Sequence, residues 1–477
     1  MLNRNSNKSN LFTYGIGEVI NKFSMFFFLP FAAYYMTQEE FGAAGILIPF
    51  IQLLQGVVTF GLPISLLKYY SDYPNKIGVI NFNILVSYFV LVACYCFIAF
   101  LAQQIGLIGD LRIGDYDIES IFYLVLFALI LSSTVQIVLQ KYQALNSAKK
   151  FVLINSLSKI GLILLLFIAV IFRSTPLKAI TLVYIILING LFFSILSIIV
   201  LIRESSRELD KVMLYRFFII GLPLFINGIS SYILQMNGRF ILENEVGIEA
   251  VAAYSFLYSI SQIIFLAITI YNRLFLPDLF TVLAKGGEDV KEYINRNLNY
   301  STKIISYISV MFLPVGMIVI STYKNVAYDS YIIYLPYLVM IYIPYNLYLV
   351  STNYLAYIEK TYLTLVISVV TGIFSILCNI FIIKALGIVG MFISQVFFQF
   401  VFAILTSFFM KDKSWRNIID YRRYFTQILL PIGLLLGIGL LDALVFEVYP
   451  LIWIVFGVIT AVTLFITIRR NSYKVIL

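Results

Sequence analysis

The stretch AITLVYIILINGLFFSILSIIVLI, residues 179–202, contains no charged side chain. Its apolar residues form a continuous run and do not alternate with polar ones, so the pattern favours a helix over a strand of a membrane barrel. A helix needs roughly 20 mainly apolar residues to cross the hydrocarbon of a bilayer. We therefore predict that residues 179–202 span a membrane.

Similar apolar runs recur along the chain between residues 11 and 468. Of the 477 residues, 61% are hydrophobic and 12% are charged, whereas soluble domains carry about 25% charged residues. A single hydrophobic core stops growing at ~250–300 residues, so a water-soluble chain of this length does not hide so much apolar surface. The composition predicts an all-α integral membrane protein.

We predict about fourteen transmembrane helices from these runs. Their predicted bounds are 11–36, 42–66, 77–104, 119–140, 151–172, 179–202, 214–236, 248–272, 301–322, 330–355, 361–383, 387–410, 424–446 and 450–468. The longest stretch between two predicted spans, 272–300, is too short for a soluble catalytic domain.

The distribution of positive charge predicts the topology. An even number of spans places both termini on one side, and lysine and arginine accumulate in cytoplasmic loops. Lys22 and Lys159 fall inside spans, and nearly all the other basic residues fall on the side of the termini. The exceptions are Arg112, Arg173, Lys178, Arg239, Lys324 and Lys384. We therefore predict cytoplasmic termini, and we expect no nucleic-acid partner because the charge of +9 follows the topology.

An internal repeat is suggested by two segments. GIGEVINKFS (15–24) resembles GLPLFINGIS (221–230), although chance remains an alternative because glycine and isoleucine are common in this chain. The repeat predicts two pseudo-symmetric six-helix bundles, 1–210 and 211–412, followed by a C-terminal pair of helices, 413–477. Parallel repeats of this kind are a transporter architecture.

Several motifs occur in the order seen in one known family. FLPFAAYYMTQEEFGAAGIL (28–47), QKYQALNSAKKF (140–151), GLPLFINGISSYILQMNGRFIL (221–242) and CNIFIIKALGIVGMFISQVF (378–397) are the main ones. They resemble the polysaccharide-export flippases, which move lipid-linked oligosaccharides such as O-antigen units across the bacterial inner membrane. Those flippases belong to the multidrug/oligosaccharidyl-lipid/polysaccharide (MOP) exporter superfamily, which also contains MATE transporters.

The resemblance implies a transporter, not an enzyme. It implies an undecaprenyl-pyrophosphate-type oligosaccharide as substrate, alternating access as mechanism, and the bacterial inner membrane as location. Membrane lipid is the other expected partner, and the resemblance leaves room for a polysaccharide polymerase and a chain-length regulator.

Charges predicted at span centres are the first candidates for function, because charge in hydrocarbon is expensive. Glu18 and Lys22 lie four residues apart in the first span and share a helix face. They either form a pair that locks helix packing, or they act as a switch in which Lys22 meets phosphate or sugar acid and Glu18 takes up a proton or sodium ion. Lys159 has no acid within four residues, so we expect it to line a cavity or to pair with another helix.

Three further residues complete the predicted substrate site. Arg239, at the outer end of the seventh span, is expected to contact sugar, to close the outward gate or to reach the interface. Asn21 and Asn227 occupy paired positions of the repeat and are expected to face a central cavity, with helix–helix hydrogen bonding as the alternative.

The sequence contains no histidine, nucleotide-binding loop or metal-ligand cluster. We expect no cofactor and no metal, with a proton or sodium ion as the coupling ion. Two alternatives remain: a multidrug or cation antiporter of the same superfamily, which would prefer an acidic cavity, and a membrane polysaccharide polymerase, which would need a large basic outer loop.

Overall fold

The computed structural model describes most of the chain up to residue 444. The described residues are 17, 20, 24, 28–60, 62, 66, 69–70, 73–106, 112–145, 147–172, 176–285, 289–322, 328, 331–358, 360–411 and 417–444. Residues 28–35 are helical. Twelve helices with defined bounds follow: α1 (Gln38–Thr59), α2 (Ile77–Gln104), α3 (Ile118–Ala144), α4 (Ala148–Ile171), α5 (Ala179–Arg203), α6 (Lys211–Glu245), α7 (Ile248–Lys285), α8 (Asp289–Thr322), α9 (Leu335–Val339), α10 (Tyr342–Tyr357), α11 (Thr361–Phe408) and α12 (Tyr421–Leu444).

The prediction of an all-α membrane protein is confirmed. Among the described residues, eight helical segments are long and apolar enough to cross a membrane. Short 3-10 turns at Pro74–Lys76 and Ile332–Tyr334 and one small hairpin, β1 (Arg112–Ile113) with β2 (Tyr116–Asp117), add to the helices. The count of fourteen spans stays a prediction, because residues 445–477 lie outside the described part.

One long helical element contains two predicted spans. Helix α11 has 48 residues, which at 1.5 Å per residue is more than twice the ~30 Å of bilayer hydrocarbon. Gly387 interrupts it with φ 60° and ψ −137°, values outside the helical region. A left-handed φ is accessible to glycine without a Cβ clash. The rings of Phe374 and Phe398, on either side of Gly387, lie 5.9 Å apart, so the chain reverses here, as the predicted boundary between 361–383 and 387–410 requires.

Two predicted segments differ in detail from the helices observed. The interval 272–300 between two predicted spans is mostly helical, because α7 extends into it to Lys285 and α8 begins at Asp289. The predicted tenth span, 330–355, is present as one apolar segment, Ile332–Tyr357, but it consists of a 3-10 turn, α9 and α10. Pro336 lies in the first turn of α9 and Pro344 in α10, and proline has no N–H for a helical hydrogen bond.

The chain divides into two compact units, residues 1–252 and 253–477. In the first unit, α3 packs most extensively against α5, and α1 contacts α3, α5 and α6. The boundary falls after α6, whereas the bundles predicted from the repeat divide at 210. A packing boundary does not test homology of the two halves, so the predicted bundles stay a prediction.

The second unit is organised around α8, α10 and α11. Helix α10 packs against α8 and α11, and α12 packs against α8 and α9. Of the predicted C-terminal pair, 424–446 is thus described almost to its end and contacts the second unit, while 450–468 lies outside the described residues.

The carboxylate of Glu40 connects three elements of the first unit: α1, the hairpin of β1 and β2, and α5. Glu40, in the first turn of α1, accepts hydrogen bonds at its Oε2 from the hydroxyl of Tyr116 at 2.6 Å and from the backbone N–H of Ala179 at 2.7 Å. Ala179 is the first residue of α5, where a carboxylate also interacts favourably with the helix dipole. Glu40 therefore fixes the hairpin and α5 to α1.

We expect Glu40→Ala to destabilise the first unit by about 1–3 kcal/mol, because a buried donor loses its acceptor. Thermal unfolding of the purified protein in detergent measures the change. Glu39 is the matched control, since it occupies the same helix turn and is exposed; Glu39→Ala should shift stability by no more than about 0.5 kcal/mol. Equal effects of the two substitutions would contradict this role of Glu40.

Candidate functional site

A cavity of about 100 Å³ lies inside the first unit. Phe28 and residues of α1, α3, α4 and α5 line it. Its polar lining consists of five side-chain amides, two hydroxyls and one ammonium group. These belong to Gln52, Gln55, Ser132, Gln136, Asn155, Ser158, Lys159 and Asn189. Apolar residues such as Phe28, Ile51 and Leu162 form the rest of the lining. The volume exceeds the ~10–15 Å³ that one water molecule requires, so this is a partly polar cavity within an apolar bundle.

The small residues of α4 and α5 make room for the polar groups. Asn189 is buried, and its Oδ1 lies 2.5 Å from the position that a Cβ on Gly161 would take. A side chain larger than hydrogen at 161 would therefore push Asn189. The Nε2 of Gln55 donates a hydrogen bond to the carbonyl of Ser132 at 2.9 Å, which orients this amide on the wall between α1 and α3.

Lys159 lies in the cavity lining, halfway along α4. The sequence singled it out as a charge in the centre of a predicted span, and the structure places it among amides. Asn155 and Ser158 accompany it on α4. The sequence analysis missed both, although they lie four residues and one residue before Lys159 and the first is on the same helix face. Gln52, Gln136 and Asn189 were also missed, because single amides in apolar runs are ordinary features of packed helices.

The lining can donate many hydrogen bonds and carries positive charge. Ammonium, amide N–H and hydroxyl groups suit phosphate, carboxylate or sugar hydroxyls. Among the described lining residues there is no carboxylate, and across the described part of the chain no three histidine, cysteine, aspartate or glutamate residues form a group that could hold a metal ion. The chemistry of the described lining therefore matches an anionic or hydroxylated group better than a cation.

Arg239 is not part of this cavity lining. It is 3% exposed on α6, and its Nη1 donates a hydrogen bond to the carbonyl of Gly45 on α1 at 2.7 Å. The expectation that it reaches the interface is wrong, because its side chain is buried against a neighbouring helix. A contact with sugar and a role in closing an outward gate stay predictions.

The other predicted site residues fall outside what the structure describes. Glu18, Asn21 and Lys22 are not among the described residues. Asn227 lies in α6, but its side chain is outside the described part. The structure therefore brings none of these together with Lys159, and their roles stay predictions.

Residues 8–277 match the family described as "Polysaccharide biosynthesis protein", which covers more than half of the chain. The chain belongs to this family. The expected membership of the polysaccharide-export family is confirmed at this level, and the apolar helices make the chain a multi-pass membrane protein. No curated protein sequence matches the chain.

Solved structures share the fold of this polysaccharide biosynthesis protein. The lipid II flippase MurJ, in an inward closed conformation, has a TM-score of 0.69 at 15% identity and covers 96% of this chain and 99% of its own. An inward-facing multidrug resistance MATE family transporter has a TM-score of 0.63 at 14% identity, with 89% and 99% covered. A eukaryotic MATE transporter has 0.59 at 14%, with 90% and 98% covered. Identities this low show the fold alone.

The carboxylate of Glu243 lies outside the predicted span 214–236 and next to the hairpin of β1 and β2. Glu243, close to the end of α6, accepts a hydrogen bond at Oε1 from the backbone N–H of Gly114 at 2.6 Å. Partial burial raises the pKa of the Glu243 carboxyl, and the hydrogen bond from Gly114 opposes that rise. The folded protein therefore binds a proton here more tightly than the unfolded chain does.

Because folding raises the pKa of Glu243, the contribution of this carboxyl to the free energy of unfolding falls as pH rises. For a carboxyl whose pKa is raised on folding, the stabilisation is present below the unfolded value, near 4.5, and is lost as pH rises through the folded value. We expect Glu243→Gln, which is neutral throughout, to flatten this fall. Thermal unfolding in detergent at a series of pH values from about 4.5 upward measures it. Parallel pH profiles for the two proteins would show that Glu243 is not responsible.

Proposed function

We propose that the protein flips a lipid-linked oligosaccharide, of the undecaprenyl-pyrophosphate type, across the bacterial inner membrane for surface polysaccharide or O-antigen synthesis. Membership of a polysaccharide biosynthesis family supports the class of cargo. A fold shared with a lipid II flippase and with MATE transporters supports movement by alternating access.

The observation that carries the proposal is the cavity around Lys159. A charge halfway along an apolar helix is costly unless it faces a polar space or a partner, and Lys159 lies in the wall of a cavity to which amides and hydroxyls contribute nearly half of the lining residues. Lysine binds phosphate as a point charge, and the amides add donors for sugar hydroxyls. A transporter of a pyrophosphate-linked sugar needs such a path past the hydrocarbon.

The size of the cavity limits what it takes. Pockets for drug-sized molecules have about 300–1,000 Å³, whereas this one has about 100 Å³. It accommodates one phosphate, one carboxylate or a few hydroxyls, and not a whole oligosaccharide. We infer that the cavity contacts one group of the headgroup while the rest of the cargo lies elsewhere.

The multidrug or cation antiporter alternative would place acids around its cargo. The part of the lining that the structure describes offers amides, hydroxyls and an ammonium group instead. This composition favours an anionic headgroup, and on this ground we prefer the flippase. A polymerase would need a large basic outer loop, and no gap between the described helices is long enough to hold one.

Several parts of the proposal rest on the sequence alone. We propose that an ion gradient drives the cycle, with Glu18 taking up a proton or sodium ion, and that both termini are cytoplasmic. Substrate contacts at Lys22, Arg239, Asn21 and Asn227, and the polymerase and chain-length regulator as partners, belong to the same proposal.

We expect Lys159→Gln to lower polysaccharide export at least about tenfold, because a charged hydrogen bond contributes roughly 1.5–3 kcal/mol. Surface polysaccharide is measured in cells that depend on this protein for export, with its amount in the membrane as a check on expression. Lys149→Gln is the matched control, since Lys149 lies in the same helix and is exposed, and it should leave export unchanged.

A second substitution separates charge from shape. Lys159→Arg keeps the positive charge and should retain a substantial part of export, whereas Lys159→Met, of similar length and apolar, should behave like the glutamine variant. Normal export by Lys159→Gln at normal expression would remove the cavity from the proposed mechanism.

A further inference from the structure

The linker between α5 and α6 is held to α2 by one asparagine. Asn83 is the seventh residue of α2 and is fully buried. Its Nδ2 donates hydrogen bonds to the carbonyls of Val79 at 2.8 Å and Glu208 at 3.0 Å. Its Oδ1 accepts a hydrogen bond from the backbone N–H of Asp210 at 2.9 Å. The side chain thus joins its own helix to two positions of the linker.

The linker before α12 is held to α8 in the same way. Asn295 is the seventh residue of α8 and is 7% exposed. Its Nδ2 donates to the carbonyls of Lys291 at 2.8 Å and Ile418 at 2.7 Å. Its Oδ1 accepts from the backbone N–H of Asp420 at 2.8 Å.

The two sets of contacts agree in register, position by position. In each, the asparagine donates to the carbonyl four residues earlier and to the carbonyl two residues before an aspartate, and accepts from that aspartate's N–H. An amide side chain supplies donors and an acceptor at once, which these contacts require.

Each aspartate also begins the helix that follows. The Oδ1 of Asp210 accepts from the N–H groups of Val212 and Met213, both at 3.0 Å, at the start of α6. The Oδ1 of Asp420 accepts from the N–H of Arg423 at 3.1 Å at the start of α12. A side-chain oxygen that accepts from the N–H three residues on satisfies an otherwise unpaired helical donor. The correspondence therefore extends from the third predicted span through the linker into the next helix.

We propose that the two clamps, each formed by an asparagine and its aspartate, have the same role: Asn83 positions α6 on the first unit, and Asn295 positions α12 on the second. Asn83 and Asn295 are then equivalent positioning residues for the helices that follow them. The helix beginning at Tyr421 packs against α8 and α9 and so is part of the second unit; the helix pair predicted for 413–477 stays a prediction, because residues 445–477 lie outside the described part.

Further contacts add to the clamps at described residues of both linkers. In the first unit, the carbonyl of Glu204 accepts from Asn81 at 2.8 Å and the carboxylate of Glu204 pairs with buried Lys141 at 2.6 Å. In the second, the hydroxyl of Tyr354 donates to the carbonyl of Lys411 at 2.9 Å. The linker between α5 and α6 is thus fastened on its own unit, and the described residues of the linker before α12, Lys411 and 417–420, are held on the second.

Hydrogen–deuterium exchange of the purified full-length protein in detergent tests the inference. Asn83→Ala should raise exchange in the peptide covering 206–214 about tenfold, and Asn295→Ala should do the same for 417–425, the factor expected when two linker hydrogen bonds are lost. Each substitution should affect only its own linker. The matched controls are Ser87→Ala and Asn297→Ala, whose side chains bond within α2 and α8.

Each outcome of the exchange experiment supports or overturns a stated part of the proposal. A response to Asn83→Ala without one to Asn295→Ala would overturn the equivalence, and no response to either would overturn both clamps. If a variant does not fold, the wild-type protein decides: the amides of 208–210 and 418–420 should be similarly protected, and rapid exchange of either segment contradicts the proposal. Transport is not measured, so the result is independent of the cargo proposed above.

Discussion

The hydrocarbon of the bilayer is the constraint on which the rest of this structure depends. Water is missing there, so each main-chain N–H and C=O finds its partner within the chain, and helices are the simplest solution. The helices end or break where this bonding is locally relaxed: at Gly387, which takes a left-handed φ, and before α10, where prolines lack an N–H. The same constraint concentrates polar side chains in places where they meet one another, and the cavity around Lys159 is such a place.

The sequence predicted the helices well because hydropathy over some twenty residues averages many side chains. It predicted individual contacts poorly. Lys159 stood out because a lone charge in an apolar run is rare. Asn155, Asn189 and Gln136 did not, because an amide in such a run is compatible with ordinary helix packing. Which amides share a cavity depends on the rotation of four helices, and no local pattern records that.

The paired asparagines illustrate a different limit. Asn83 bonds to a carbonyl 125 residues away and Asn295 to one 123 residues away, and both partners are backbone groups, which leave no trace in side-chain identity. Little else in the surrounding sequence agrees: the flanks of Asp210 and Asp420 share few residues. The similarity of the two linkers is therefore visible in their hydrogen bonds and not in their amino-acid sequences.

The reversal at Gly387 has a consequence for biogenesis. Two membrane crossings joined by a single non-helical residue have no loop between them that can be translocated on its own. Such a pair enters the bilayer as one hairpin, with both arms committed together. A reporter domain fused at this point would therefore disturb insertion instead of reporting which face of the membrane the turn occupies.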